Sequence, residues 1–347
     1  MRGLRKYLTP FAPDQSGAVS VLFELGGIVV ICDAGGCTGN VCGFDEPRWF
    51  SHKSVIYSAG LRDMDAILGR DDRMIDKLVD ATEKVDASFV ALIGTPVPAV
   101  IGTDYKALKK MAEKKIDIPI MTIDANGMKH YDSGEEKAWL TLFKTFAAEK
   151  YPTDDNKIGI LGMTPQDMND LDIAYKFKKY FSEKYSKGVI CFGMGAGLEE
   201  IKRASSVSKN IVVSTAAIET AKYLEDTFGI PYEIRYPLVH ELIPDIDYTD
   251  KKIIVVHQQV IAASMREELY KKGARNVQNA CWFMMKDELI CDGDIALRDE
   301  DDYIELVQSG EFDIIFADVA MKKMTPDFKG LFINTRHFAV SGKLIGD

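Results

Sequence analysis

The 347-residue sequence predicts an α/β protein in which parallel sheets flanked by helices recur three times along the chain. Three observations lead there. The run Ile28-Val29-Val30-Ile31 is apolar and β-branched throughout, as a strand buried on both faces requires. Short apolar runs alternate with amphipathic helical stripes, the pattern of strand–helix–strand crossovers. The alternation restarts twice, at Lys157 after a long helix and at Lys252 after an acidic, proline-containing linker over 242–250. The result is three units of similar size, read as Rossmann-like domains over residues 1–133, 134–245 and 246–347.

In the first unit a helix over 15–25, capped near Asp14 or Ser16, leads into the strand 28–32. Val55-Ile56-Tyr57 is a second strand. Met74, Ile75, Leu78, Val79 and Ala81 form the apolar stripe of a helix over 73–85. Strands at 89–93 and 118–123 bracket a helix over 105–114. A long helix, 135–149, crosses to the second unit, with strands at 157–161, 188–192 and 210–214 and helices over 167–185, 198–205 and 215–228. Gly229 and Pro231 end the last of these, glycine first and proline after. The third unit has strands at 252–256, near Val277, at 313–316 and at 331–333, with helices over 260–272 and 301–308.

The composition, 46% hydrophobic and 28% charged, is that of an ordinary globular protein. A net charge of -10 with no basic stripe excludes nucleic acid as a partner. The most apolar window, Gly17 to Ile31, is broken by Glu24 and by Gly26-Gly27, so no membrane span is expected. No signal peptide is read at the start. Six cysteines without a secretory signal imply a reducing cytoplasm with free or metal-bound thiols.

Two of those cysteines stand apart. Gly35-Gly36 permits a tight turn after the first strand, Cys37 follows where a helix begins, and Cys42 comes five residues later. A helix N-terminus favours the thiolate, the form that a soft metal or an iron–sulfur cluster needs. The C-x4-C spacing alone fixes no site type, and buried, hydrophobe-like thiols remain the competing reading, as at Cys32 within the strand. A second glycine-rich turn, Phe192-Gly193-Met194-Gly195-Ala196-Gly197, follows a strand and opens a helix. The third glycine of G-x-G-x-x-G is out of place and the next strand ends without a carboxylate. Packing, or an anionic ligand, is therefore favoured over NAD. Gly193, Gly195 and Gly197 are kept as candidates to line an interdomain cleft. No G-x-x-x-x-G-K-[ST] occurs, so the chain itself is not expected to hydrolyse ATP. The five histidines are scattered without a zinc pattern, and His52 is kept as a pocket candidate for its nearness to the cysteine turn.

The glycine–glycine–cysteine turn at 32–37 resembles the H-G-P-x-G-C turn of nitrogenase component 1 type oxidoreductases. The resemblance continues through Tyr57-Ser58-Ala59-Gly60-Leu61 to Ile67-Leu68-Gly69. Thr95-Pro96-Val97-Pro98-Ala99-Val100-Ile101-Gly102-Thr103-Asp104 is similar to the family's T-C-x-x-x-x-I-G-D-D. Ile118-Pro119-Ile120 with Asn126-Gly127-Met128, then Asn210 to Ser214 and His337 to Gly342, resemble later blocks. The resemblance implies three Rossmann-like domains per subunit and two subunits paired about a pseudo-twofold axis. It also implies an iron–sulfur cluster held by cysteines of both, and a separate ATP-dependent iron protein as electron donor.

The departures narrow that expectation. One family cysteine position, before Gly17-Ala18, falls near Pro13; another falls on Pro96; the cofactor-anchoring cysteine falls on Ser214. The family's C-terminal cofactor histidine has no counterpart after Ser341-Gly342. Nitrogen fixation and an eight-iron cluster are therefore not expected. By the resemblance, Cys37 and Cys42 of each subunit of a cytoplasmic homodimer hold one shared [4Fe–4S] cluster. Gly35, Gly36 and Gly39 allow backbone approach, and Asp33, Thr38, Asn40 and Arg48 tune the potential. The cluster relays low-potential electrons from an iron protein to a substrate, or to a second metallocofactor left unidentified, in the interdomain cleft. The alternatives are a non-enzymatic scaffold or carrier for a metallocluster or tetrapyrrole, and a plain small-ligand binding module.

Overall fold

The computed structural model describes residues 5–50, 55–62 and 70–346. Three sheets follow one another along the chain. The first contains β1 (Ile28–Ile31), β2 (Val55–Ser58), β3 (Val90–Ile93) and β4 (Ile120–Ile123) in the order β2-β1-β3-β4. The second contains β5 (Asp154–Leu161), β6 (Gly188–Cys191), β7 (Val207–Val212) and β8 (Tyr232–Ile234) in the order β6-β5-β7-β8. The third contains β9 (Lys252–Val256), β10 (Asn276–Cys281), β11 (Ile295–Ala296), β12 (Ile314–Ala317) and β13 (Leu331–Asn334) in the order β11-β10-β9-β12-β13. The pairings within these sheets are parallel. The α/β class with parallel sheets thus stands as expected. Strand order reverses between β1 and β3, between β5 and β7, and between β9 and β12. Such reversals open a crevice at the carboxyl ends of the strands, where ligands bind in this architecture.

The buried strands alternate their side chains between two helix layers. Val29 and Ile31 face the Asp14–Leu22 and Tyr131–Phe146 helices, in a core that continues into the second sheet through Leu161, Phe192 and Val212. Ile28 and Val30 face the opposite layer with Ile75, Leu78 and Leu108. Ile158 and Ile160 of the second sheet share another core with Ile253, Val255 and Phe316 of the third. The sheets are therefore fused through common cores.

The Asp14–Leu22 helix is buried along its whole length, and it meets the Tyr131–Phe146 helix backbone to backbone. A Cβ on Gly17 overlaps the carbonyl of Tyr131, and one on Gly134 overlaps that of Asp14. Only glycine permits this crossing at both points. The expected cap at Asp14 is corrected: Pro13 is the N-cap, and the Asp14 carboxylate accepts instead from the N–H groups of Asn126 (2.9 Å) and Gly127 (2.7 Å). The helix expected over 167–185 begins only at Ile173, because Thr164 to Asp167 turn inward at the end of β5. The helix Pro96–Ile101 and the short strands β8 and β11 were not anticipated. Among the described residues no helix is long and apolar enough to cross a membrane.

Gly134→Ala drives a methyl group into a carbonyl of the facing helix, and should destabilise the fold by about 3 kcal/mol, as forced overpacking does. A urea titration read by far-UV circular dichroism checks this; an unshifted midpoint would show that the helices can separate freely.

Candidate functional site

The cysteine turn leaves the carboxyl end of β1, the strand at the order reversal of the first sheet. Gly35 takes a φ of 122°, a conformation closed to L side chains, so the chain can reverse and start the short helix Gly36–Asn40. Asp33 fixes this reversal. Its carboxylate accepts from Thr38 N–H (2.8 Å), Thr38 Oγ1 (3.0 Å) and Ser58 Oγ (2.6 Å). The helix then widens over Val41–Asp45 into a π-turn, closed by the Glu46 N–H on the Val41 carbonyl. In an α-helix, residues five apart point about 140° away from each other. Between Cys37 and Val41 the α-helical bond is kept, with the Val41 N–H on the Cys37 carbonyl, and the wider turn begins only beyond it. Val41 is fully buried and anchors the turn in the core.

Both thiols are half-exposed. Among the described residues, a Cβ placed on Gly36, Gly39 or Gly43 would meet nothing within 4 Å. Burial pushes the Cys37 thiol up, and the Asp33 carboxylate pushes it further; burial and Glu46 do the same to Cys42. This reverses the thiolate expected of a helix N-terminus. The helix is one turn long, and a carboxylate stands at each end of the cysteine segment. Any metal bound here must displace the thiol protons.

Behind the turn lies a buried ion cluster. Arg48 is fully buried and forks onto Glu46, with Nε to Oε1 and Nη2 to Oε2, each at 2.8 Å. Its Nη1 donates to Glu24 (3.0 Å) and to the carbonyl of Gly193 (2.9 Å), and its Nη2 to the carbonyl of Ser20 (2.6 Å). The other Glu24 oxygen accepts from the Gly195 N–H at 2.8 Å. Arg48 therefore docks the cysteine turn against the glycine turn of the second sheet. A Cβ on Gly193 would overlap the Met163 carbonyl and the Trp139 ring. Gly197 precedes the Leu198–Lys202 helix, and its N–H is held by Glu200 at 3.0 Å. The cleft left beside Gly195, Met194 and Arg48 is only about 90 Å³. A larger cavity of about 610 Å³ opens on the other side of the cysteine turn, lined by Phe11, Asn40, Phe44, Gln166 and Phe338 among others.

His52 and the Ile67-Leu68-Gly69 block lie outside the described residues. Cys32, Cys191 and Cys281 are buried and Cys291 is exposed. Pro96 opens its own helix, and Ser214 is buried, accepting from the Ala216 N–H at 3.3 Å. Among the described residues no group of three or more His, Cys, Asp or Glu side chains gathers as metal ligands, so one chain brings two thiols to the turn. Glu24, Glu46 and Asp45 were missed as members of this region. The signal for Glu24 was present, as the single charge interrupting the most apolar window.

A chain of three parallel sheets with a cysteine turn after its first strand defines a class of layered α/β proteins. The sequence profile of the family "Nitrogenase component 1 type Oxidoreductase" matches residues 14–239, more than half of the chain, and the chain belongs to that family. Among curated relatives it is 24% identical over 183 residues to the nitrogenase iron-molybdenum cofactor biosynthesis protein NifE of Nostoc sp. (strain PCC 7120), covering 51% of this chain and 37% of that protein. It is 25% identical over 180 residues to NifE of Clostridium pasteurianum, covering 51% of this chain and 38% of the relative. The match thus spans well under half the length of these relatives. Among solved structures, nitrogenase Cp1 at pH 6.5 superposes with a TM-score of 0.72 over 96% of this chain and 87% of that one, at 11% identity. Nitrogenase Cp1 at pH 5 gives 0.71 over 99% and 87%, at 15% identity. These neighbours establish a shared fold.

Arg48→Leu strands the buried Glu46 carboxylate and removes the partner of the half-buried Glu24, and should destabilise the protein by about 3–5 kcal/mol. Guanidinium denaturation measures this; a loss below about 1 kcal/mol, the ordinary worth of an exposed pair, would show that water reaches the cluster.

Proposed function

We propose that two copies of this chain pair across their cysteine turns and hold one [4Fe–4S] cluster through Cys37 and Cys42 of each. The pair would act as the electron-relaying component of a nitrogenase-like reductase supplied by an ATP-dependent iron protein. The observation that carries the reading is a pair of half-exposed thiols beside glycines that, among the described residues, have open space in front of them. Two copies bring four thiolates, the complement such a cluster takes. When bound, the cluster supplies a one-electron centre of low potential. The glycines at 36, 39 and 43 leave room for its close approach. Asp33 and Glu46 lie near enough to act on the thiols, and fixed negative charge there disfavours adding an electron, which sets a low potential. Phe44, Val100 and Met128 are 76%, 76% and 74% exposed, and the segments carrying them follow β1, β3 and β4 at the same edge of the first sheet. They supply apolar surface for a partner subunit or the iron protein.

A second reading is favoured by the relatives' names, which describe cofactor biosynthesis. On that reading the same turns carry a metallocluster during assembly and hand it on intact, with no turnover under any reductant.

Iron and acid-labile sulfide on anaerobically purified protein, with EPR of the dithionite-reduced sample, test the site. About two irons per chain is the expected result. Cys37→Ser and Cys42→Ser should each abolish most of it while leaving the circular dichroism unchanged. Iron-free, colourless protein that reconstitutes nothing would leave only the small-ligand binding reading.

Reconstitution should also depend on pH. Both thiol pKa values are raised, so protons must leave on ligation, and cluster yield at fixed iron and sulfide should rise between pH 7 and pH 9. A yield that is flat with pH would mean that other ligands carry the iron.

A further inference from the structure

The carboxyl ends of the second and third sheets meet in a buried polar cluster that the cysteine site does not use. Tyr131 donates its hydroxyl hydrogen to Asp167, in the segment after β5. His337, after β13, meets the same hydroxyl oxygen through Nε2 at 3.0 Å, with Asp167 Oδ1 at 3.3 Å. Since the tyrosine hydrogen points at the carboxylate, Nε2 of His337 carries its own hydrogen. His257, after β9, stacks on His337 with ring centroids 4.4 Å apart and planes 7° from parallel. All four residues are buried.

The state of His257 is fixed by its neighbours. Gln258 donates its backbone N–H to Nδ1 at 2.8 Å, and Nε2 faces the Arg336 carbonyl at 3.3 Å. Nδ1 is thus the acceptor and Nε2 the donor, which is a neutral imidazole. A further proton must land on Nδ1, where it meets the Gln258 N–H head-on. The positive ring would also lie flat against a second imidazole. Gln258 links the two sheets, because its Oε1 caps the Gln259–Lys271 helix at Val260 N–H and its Nε2 reaches the Val213 carbonyl, both at 2.7 Å. The other charged and titratable groups of this junction act on His337 rather than His257. Asp167 and Tyr131 hold its ring. Asp318, after β12, accepts from the His337 N–H (3.0 Å) and from Ser341 Oγ (2.8 Å). The Arg336 side chain is engaged by the Leu344 carbonyl.

His337 is also the N-cap of the Phe338–Ser341 helix, which forms one wall of the 610 Å³ cavity beside the cysteine turn. We propose that the His257–His337 stack is an acid-sensitive latch on that wall. Adding a proton to His257 parts the rings, releases the Phe338–Ser341 helix and opens the cavity. The inference stands on this junction alone and does not require a bound cluster. Burial and the neighbouring ring hold the His257 pKa well below 6.5 in the closed state. A depressed value means that the closed state is at full strength above about pH 6.5 and weakens as the pH falls. For one proton taken up at an unshifted open-state histidine, the open population at pH 5.0 rises at most about thirtyfold.

Hydrogen exchange on the full chain at pH 7.5 and pH 5.0, corrected for intrinsic rates, tests the latch. Peptides over 335–346 should lose protection by about ten- to thirtyfold at pH 5.0, while those over β5 change little. His257→Gln keeps a hydrogen-bonding side chain and His257→Phe keeps the flat ring; whichever of them folds should exchange alike at both pH values. Unchanged wild-type protection over 335–346, equal loss in every peptide, or a pH response that survives in the folded variant would each overturn the proposal.

Discussion

The buried guanidinium of Arg48 is the interaction on which the arrangement of the first two sheets depends. A cation without water is stable only when anions and carbonyls replace its hydration on every side. Here the replacements come from separate stretches: Ser20 and Glu24 around the end of the first helix, Glu46 from the cysteine turn, and Gly193 from the second sheet. None of these segments can shift without exposing the charge imbalance of the others. The cysteine turn is consequently tied from behind, through Glu46 and Arg48, to the first helix and to the second sheet. Buried ions of this kind add little net stability, but they penalise every alternative arrangement.

What was legible in the sequence follows from burial. Strands covered on both sides, such as Ile28–Ile31 and Ile314–Ala317, must be apolar throughout, so they announce themselves. The two- and three-residue strands β11 and β8 carry no such run, and they form because a neighbouring strand is already in place. The position of Cys37 at the start of a helix was readable; the direction of its acidity was not. That direction comes first from burial of the thiol and then from Asp33 folding back over the turn, and both are tertiary facts. Arg48 was read as tuning the potential of a cluster; that it is fully buried and paired with Glu46 could not be read from the sequence. His257 and His337 looked scattered because 80 residues separate them, and only the order β9-β12-β13 brings their loops together.

Membership in the nitrogenase component 1 type family accounts for the architecture. Proline at position 96 begins a helix, where its missing N–H would have had no partner in any case. Pro13 occupies the cap of the first helix. Both prolines serve the local backbone at positions where the family resemblance would place cysteines. The remaining pair, Cys37 and Cys42, sits on a single continuous turn.

The first residues described close a loop across the whole chain. The backbone N–H groups of Lys6, Tyr7 and Leu8 all donate to the carboxylate of Glu300, and Phe11 packs among Trp282 and Phe283. Synthesis delivers these partners nearly three hundred residues apart. Until the third sheet is made, this segment holds only its nearer partners, the Tyr131 N–H on the Ala12 carbonyl and the His130 ring against Phe11. The backbone from Lys6 to Leu8 therefore stays without its carboxylate partner until Glu300 has been made, and a nascent chain halted before that point would expose these three N–H groups to chaperones and proteases.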